Sequence, residues 1–246
     1  MMNLMNLSKA AAIATLATAA IAASSAIMPN SAQAFTLAID PQFGSTENTG
    51  STAKLNFDFV QSDSNVLLNL GMTNNTNGTV GLGANQSSLV GVAFDIVSGL
   101  NVSLQSSNGS NFTKLWKNVS LPPYGTYDVG ISTPRKSFAG GNANLGLKAG
   151  ESATVSFLFS GTNLNAKILE SAFLSGFKDG SLSVAGRFQQ VDVGAGSDKV
   201  SGGIVQPPPP KKVPEPSALL GILAVGGMGL GRKKLQGKVV KIAQSV

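Results

Sequence analysis

The side chains best suited to chemistry in this sequence are the carboxylates Asp58, Asp63, Asp95, Asp128, Glu151, Glu170, Asp179, Asp192 and Asp198. Acid–base work on a glycosidic bond needs two of them facing each other across a cleft. Asp192 and Asp198, with nearby backbone carbonyls, offer oxygen ligands of the kind calcium takes from loops, but their spacing matches no EF-hand or nonapeptide pattern. The carboxylates fall in turns or on the polar side of strand-like runs, so the expectation is solvated surface groups, with no catalytic residue, no cofactor and no metal assigned. His and Cys are both absent. That removes the Ser-His-Asp constellation and cysteine nucleophiles, and it takes from zinc its two preferred ligand types.

The remaining chemical feature is a cluster of aromatic residues. Trp116, Tyr124 and Tyr127 lie within twelve positions of one another, and flat rings stack on the apolar faces of sugars as they do on other partners. These three are the candidate glycan contacts. The competing reading places Trp116 in the core or on the sheet surface.

The elements that would position such residues are short. In 52–60, Ala53, Leu55, Phe57 and Phe59 alternate with Lys54, Asn56 and Asp58, the pattern of a half-buried strand. Further strands are expected at 66–72, 89–97, 101–105, 112–119 and 127–131, and strand character returns over 181–193. The segment 106–110 reads as a hairpin loop joining two of these, and 145–147 with 153–159 as a second hairpin. Pro122 and Pro123 must interrupt the sheet, because neither can donate to a ladder. Residues 132–142, with Pro134 and Gly140-Gly141, read as a mobile loop. The spacing of Ile168, Leu169 and Ala172, with Asn163 as cap, allows one short helix. Residues 194–203 read as a glycine-rich exit from the domain. Nine or ten short strands with Gly- and Asn-rich turns predict a mainly β domain, an antiparallel β-sandwich of jelly-roll-like or immunoglobulin-like arrangement.

Length and charge set further bounds. The 246 residues leave about 170 for the folded part once two targeting segments are removed, enough for one domain and one core. The net charge of +6 is a property of the ends. Between positions 35 and 210 ten cations meet eleven acids, so the domain carries about −1 and lacks the basic footprint of a nucleic-acid binder. A domain without Cys must also be stable without disulfides.

The two ends read as targeting devices. Residues 1–34 hold Lys9, an apolar Ala-rich run and small residues at Ala32 and Ala34, the pattern of a signal peptide cleaved by signal peptidase before Phe35. Residues 206–216 form a Pro-rich stalk that favours an extended polyproline rod. Residues 217–234 hold an uncharged stretch, 218–231, of about 21 Å as a helix, followed by Arg232, Lys233 and Lys234. Against a bilayer core of about 30 Å this is a short membrane helix, its far end placed in the cytoplasm by the basic cluster. Residues 235–246 would be a cytoplasmic tail. The β-sandwich is therefore expected to be flanked by an N-terminal signal helix and a C-terminal membrane helix, and to lie across the membrane from Arg232.

Val213-Pro214-Glu215-Pro216, the Gly-rich apolar segment and Arg232-Lys233-Lys234 together resemble the PEP-CTERM sorting signal. The resemblance implies an exosortase as processing enzyme and an exported protein at the cell surface or in the extracellular matrix, in association with exopolysaccharide. The segment 148–203 also looks like the end of many ectodomains that carry such a signal. Two other readings stay open: a glycan-active enzyme using a carboxylate pair, and a C-terminally anchored membrane protein that is never processed.

Overall fold

The computed structural model describes residues 34–205. The expected signal helix, stalk, membrane segment and tail lie outside the described residues, and among those described no helix is long and apolar enough to cross a membrane.

The fold is built on β2 (Ala53–Ser62) and β3 (Asn65–Asn74), a ten-residue hairpin in register from Ala53↔Asn74 to Ser62↔Asn65. Its tight turn is allowed by Asp63, whose φ of 52° lies in the left-handed region that Asp tolerates better than most residues. Ala53, Leu55, Phe57 and Phe59 are buried on one face, as their alternation predicts. Around this hairpin the sheet runs in the order β5–β9–β3–β2–β1–β11–β10–β4–β7–β6, with the short β8 on β4 and every pair antiparallel. The other strands are β1 (Phe35–Ile39), β4 (Ser88–Phe94), β5 (Asn101–Ser106), β6 (Lys114–Ser120), β7 (Thr126–Ser132), β8 (Leu147–Lys148), β9 (Ser152–Ser160), β10 (Val184–Gln189) and β11 (Ser197–Gly203).

The mainly β, antiparallel class is as expected, but the strands form one hydrogen-bonded sheet of eleven rather than two separate sheets. The sheet curls until its halves face each other across one core. Phe94 of β4 meets Phe57 of β2 edge-on at 5.6 Å and Phe157 of β9 at 5.8 Å between ring centres. The end strands β5 and β6 both line a cleft of about 300 Å³ with the loop that precedes β5.

Several local expectations fail for one reason: pairing is set across the whole sheet, not between sequence neighbours. β5 and β6 do not form a hairpin across 106–110, since β5 pairs with β9 and β6 with β7. β8 pairs with β4 and not with β9. Residues 197–203, read as an exit, form β11 in mid-sheet between β1 and β10. The segment 132–142 is no mobile loop. It packs as a strap, with Phe138 5% exposed and Arg135 Nε donating to the Gly141 carbonyl.

The one α-helix among the described residues, α1 (Ala166–Asp179), is capped by Asn165, two residues after the expected cap. Its Oδ1 accepts from the backbone N–H groups of Lys167 and Ile168. The helix ends at Gly180, whose φ of 79° supplies the left-handed residue that closes many helices. Ala166, Leu169, Phe173 and Phe177 face the core, where Phe173 packs on Phe59 and Phe159. Ile168, expected on the buried stripe, points outward at 71% exposure.

Candidate functional site

The outer face of β11, β10, β4, β7 and β6 carries the chemistry. Cross-strand register arranges it in rows. One row runs Ser201, Ala185, Ala93, Gly130, Trp116, and the next Lys199, Arg187, Gly91, Ser132, Lys114. The first is a floor of small residues that ends at an indole. The second puts cations at one end and again at the other.

The small floor lets other groups lie flat on it. Phe138 of the strap sits over the two glycines, where a Cβ on Gly91 would lie 3.0 Å from its ring and one on Gly130 2.8 Å. Ala93, Val119, Leu121, Tyr127, Phe138 and Ala185 form a second apolar cluster here, separate from the main core, with Trp116 and Tyr124 packed against it. Leu115 faces the main core, yet Val119 joins the outer cluster although an even spacing should keep the two on one face. Between them Asn118 adopts φ 51°, and the face changes there.

The three candidate glycan contacts are thus brought to one cluster, but they are not equally available. Tyr127 is 2% exposed; burial, then Asp95 and Tyr124, push its hydroxyl up to about 12, so it has no ring face to offer. Trp116 is partly buried, its Nε1 donates to Ser132 Oγ at 2.8 Å, and Lys114 Nζ stands 5.2 Å above the ring. Tyr124 is also partly exposed, and its ring lies beside Gly44. Burial, with Asp198 adding to it, raises its hydroxyl as well.

Two of the three cations in the second row, Arg187 and Lys199, bind neutral oxygens. Arg187 Nε donates to the Ala139 carbonyl at 3.2 Å and Lys199 Nζ to the Pro122 carbonyl. Burial draws the Arg187 guanidinium below its usual value, with Asp198 opposing. Beside the row lies a polar groove of about 550 Å³ lined by Asn85, Gln86, Ser88, Lys148 and Gln190 among others. Lys148 Nζ gives its hydrogen bonds to Ser88 Oγ (2.6 Å), Gln190 Oε1 (2.6 Å) and the Ala143 carbonyl (3.1 Å). Three acceptors match the three N–H bonds of an ammonium group, so the Lys148 side chain is held in one place.

The acids divide sharply. Asp198, expected at the surface, is fully buried and accepts six hydrogen bonds, from the backbone of Thr46, Glu47 and Thr49 and the hydroxyls of Ser45, Thr46 and Thr49, at 2.7–3.2 Å. Burial alone would raise its carboxyl; the hydrogen bonds from Ser45, Thr49 and Thr46 outweigh that and hold it below the usual range. Asp192 accepts instead from the Asn85 backbone N–H. The two have separate protein donors, and among the described residues no group of three or more His, Cys, Asp or Glu is placed to hold a metal ion. Asp95 and Asp128 do come together. Asp95 accepts from the N–H of Asp128 and of Ser183, and Asp128 from that of Ile96. Burial pushes the Asp95 carboxyl up, against those backbone bonds and helped by Asp128. Asp128 lines the cleft between β5 and β6. Because both carboxylates hold backbone N–H groups at the ends of β4 and β7, their first role is to tie the turns. Asp58, Asp63, Glu151, Glu170 and Asp179 are exposed or partly exposed on other elements.

Lys114, Arg187 and Lys199 did not stand out in the sequence, being up to 85 positions apart. One signal was there to be read: residues 114–148 hold Lys114, Lys117, Arg135, Lys136 and Lys148 against Asp128 alone, in a domain whose net charge is negative.

Compared with known protein families, with characterised proteins and with solved structures, the chain has no match.

Proposed function

We propose that this chain is an exported structural or interaction protein of the cell surface or extracellular matrix. Its Val213-Pro214-Glu215-Pro216 segment, apolar stretch and Arg232-Lys233-Lys234 cluster act as a PEP-CTERM-type sorting signal handled by an exosortase. Signal peptidase cuts between Ala34 and Phe35, and the β domain works by binding, with exopolysaccharide as the partner, rather than by catalysis.

The supporting observation is a match of boundaries. β1 begins at Phe35, the first residue after the expected cut. β11 ends at Gly203, and the chain divides into units between Val205 and Gln206, where the Pro-rich stalk starts. β1 and β11 pair with each other in mid-sheet, so removing both flanking segments would leave every strand intact. A leader kept as a permanent anchor would not require the first strand to start at the cut.

Intact-mass measurement on the protein recovered from the cell envelope or medium tests this. The expected product starts at Phe35 and has lost the residues beyond the Pro214–Pro216 region. Recovery of a chain that still ends at Val246 would favour the unprocessed anchor, and one that retains Met1 would overturn cleavage before Phe35 and favour a leader kept as an anchor.

A further inference from the structure

The rows on the outer face also specify a ligand class. Lys199 and Arg187 are direct cross-strand neighbours on β11 and β10, an arrangement of like charges that costs stability in a sheet. Their hydrogen bonds go to backbone carbonyls, which carry no counter-charge; the nearby acid that acts on Arg187 is Asp198, whose carboxylate is already held by six donors. Lys114 closes the same row four strands away, roughly 19 Å at the usual strand spacing. The strap adds to it: Arg135 and Lys136, both exposed, fall between Ser132 of the row and Phe138, which rests over Gly91 of the row. The outcome is a strip of cations at the two ends of the row and on the strap that covers its buried floor of small residues, too long for one small anion and bordered by a partly exposed indole.

We propose that this strip binds an anionic polysaccharide bearing carboxylates, a polyuronate, through Lys114, Arg135, Lys136, Arg187 and Lys199, with Trp116 flanking the sugar rings. This rests on the binding reading above and narrows it. Carboxylates are the natural partners of lysine and arginine donors, and a repeating polymer places one after another along the strip. A nucleic-acid strand fits less well. Such strands are held by successive aromatic platforms under the bases, whereas here Tyr127 is buried and Lys114 stands over the Trp116 ring. A lipid surface fits less well too, since Phe43, Leu82, Ile168 and Val205, the exposed large apolar side chains among the described residues, are not part of the strip.

The test measures binding of the full-length chain to immobilised alginate, to dextran and to a single-stranded oligonucleotide, at low and high salt, for wild type, for K114Q/R135Q/K136Q and for the control K54Q/K167Q/K178Q. All six substituted side chains are exposed, but R135Q also removes the bond to the Gly141 carbonyl, so binding is compared at a temperature where melts show every variant fully folded. The expected result is alginate binding that falls with salt and weakens about tenfold or more in the first variant. The control should bind as wild type does, dextran weakly, and Trp116 emission should change on alginate addition. Equal binding of alginate and dextran, unaffected by the triple variant, would overturn the polyuronate assignment and leave the broader glycan reading standing. Oligonucleotide binding as strong as alginate binding would overturn the choice of polymer. Retention on neither polysaccharide would remove both readings.

Discussion

The two faces of β4 and β10 are covered by different means. On the inner face Phe94 and Phe188, both fully buried, enter a core of buried phenylalanine and aliphatic side chains drawn from strands on both sides of the curl and from α1. On the outer face Gly91, Ala93 and Ala185 stay low, and Phe138 of the strap packs over them in one cluster with Tyr127 of β7. The inner face is closed on all sides and serves only stability. The outer face is half closed, its rim is cationic and aromatic, and its strap leaves Lys114 and the Arg135-Lys136 pair exposed. Stability and the proposed recognition thus fall on opposite faces of the same strands, so each should yield to different substitutions.

The largest effect should come from the inner face. Phe57 stacks on Phe35 at 5.2 Å and meets Phe94 and Phe177 at 5.6 and 5.5 Å, so it joins β1, β2, β4 and α1. Phe57→Ala should cost about 3–5 kcal/mol in denaturant unfolding without altering polysaccharide binding of the molecules that remain folded. A loss of affinity at temperatures where the variant is still fully folded would break the division between faces.

A smaller effect is expected from the outer floor. A Cβ on Gly130 would lie 2.7 Å from Val119 Cγ2 and 2.8 Å from the Phe138 ring, closer than side chains tolerate, so Gly130→Ala must lift the strap. The cost should be about 1–3 kcal/mol. Faster amide exchange should be confined to 133–146 and accompanied by a red shift of Trp116 emission. If exchange accelerated equally in β2 and β3, the strap would be part of the main cooperative unit and the contrast between the faces would fail.

These faces also differ in how far the sequence reveals them. Strands β2, β3 and β9 are legible because each alternates large apolar with polar residues, and period 2 is a local property. β11, Ser-Asp-Lys-Val-Ser-Gly-Gly, has one large apolar residue, and its position between β1 and β10 comes from pairings such as Ala38↔Gly203, which no local pattern encodes. The strap read as mobile because Pro134 and Gly140-Gly141 are loop residues by composition. In the fold Gly141 is there because Val90 leaves no room for a side chain. Trp116, Tyr124 and Tyr127 were rightly grouped, but the face change at Asn118 and the burial of Tyr127 depend on tertiary packing. The cationic row was hidden most completely, being assembled across five strands by register alone.

The smallest effect separates two acids that the sequence ranked alike. Asp198 is held below the ordinary carboxylate value of 3.8 by six donors, whereas Asp95, with two backbone donors, is pushed above it by burial. Linkage gives them opposite signs. The folded state binds a proton on Asp198 more weakly than the unfolded chain does, so its contribution to stability is present above pH 3.8 and is lost as pH falls through its lowered value. The folded state binds a proton on Asp95 more tightly, so stability declines as pH rises from 3.8 through the raised value. Asp198→Asn should lower stability at neutral pH, because its amide meets the hydroxyl of Ser45 and the N–H of Thr49 with a donor, and should flatten the acid limb below 3.8. Asp95→Asn should leave that limb unchanged and remove the decline above 3.8. Denaturant midpoints measured across this range for both variants decide the matter, and matching pH profiles would show that the six donors around Asp198 do not set its titration.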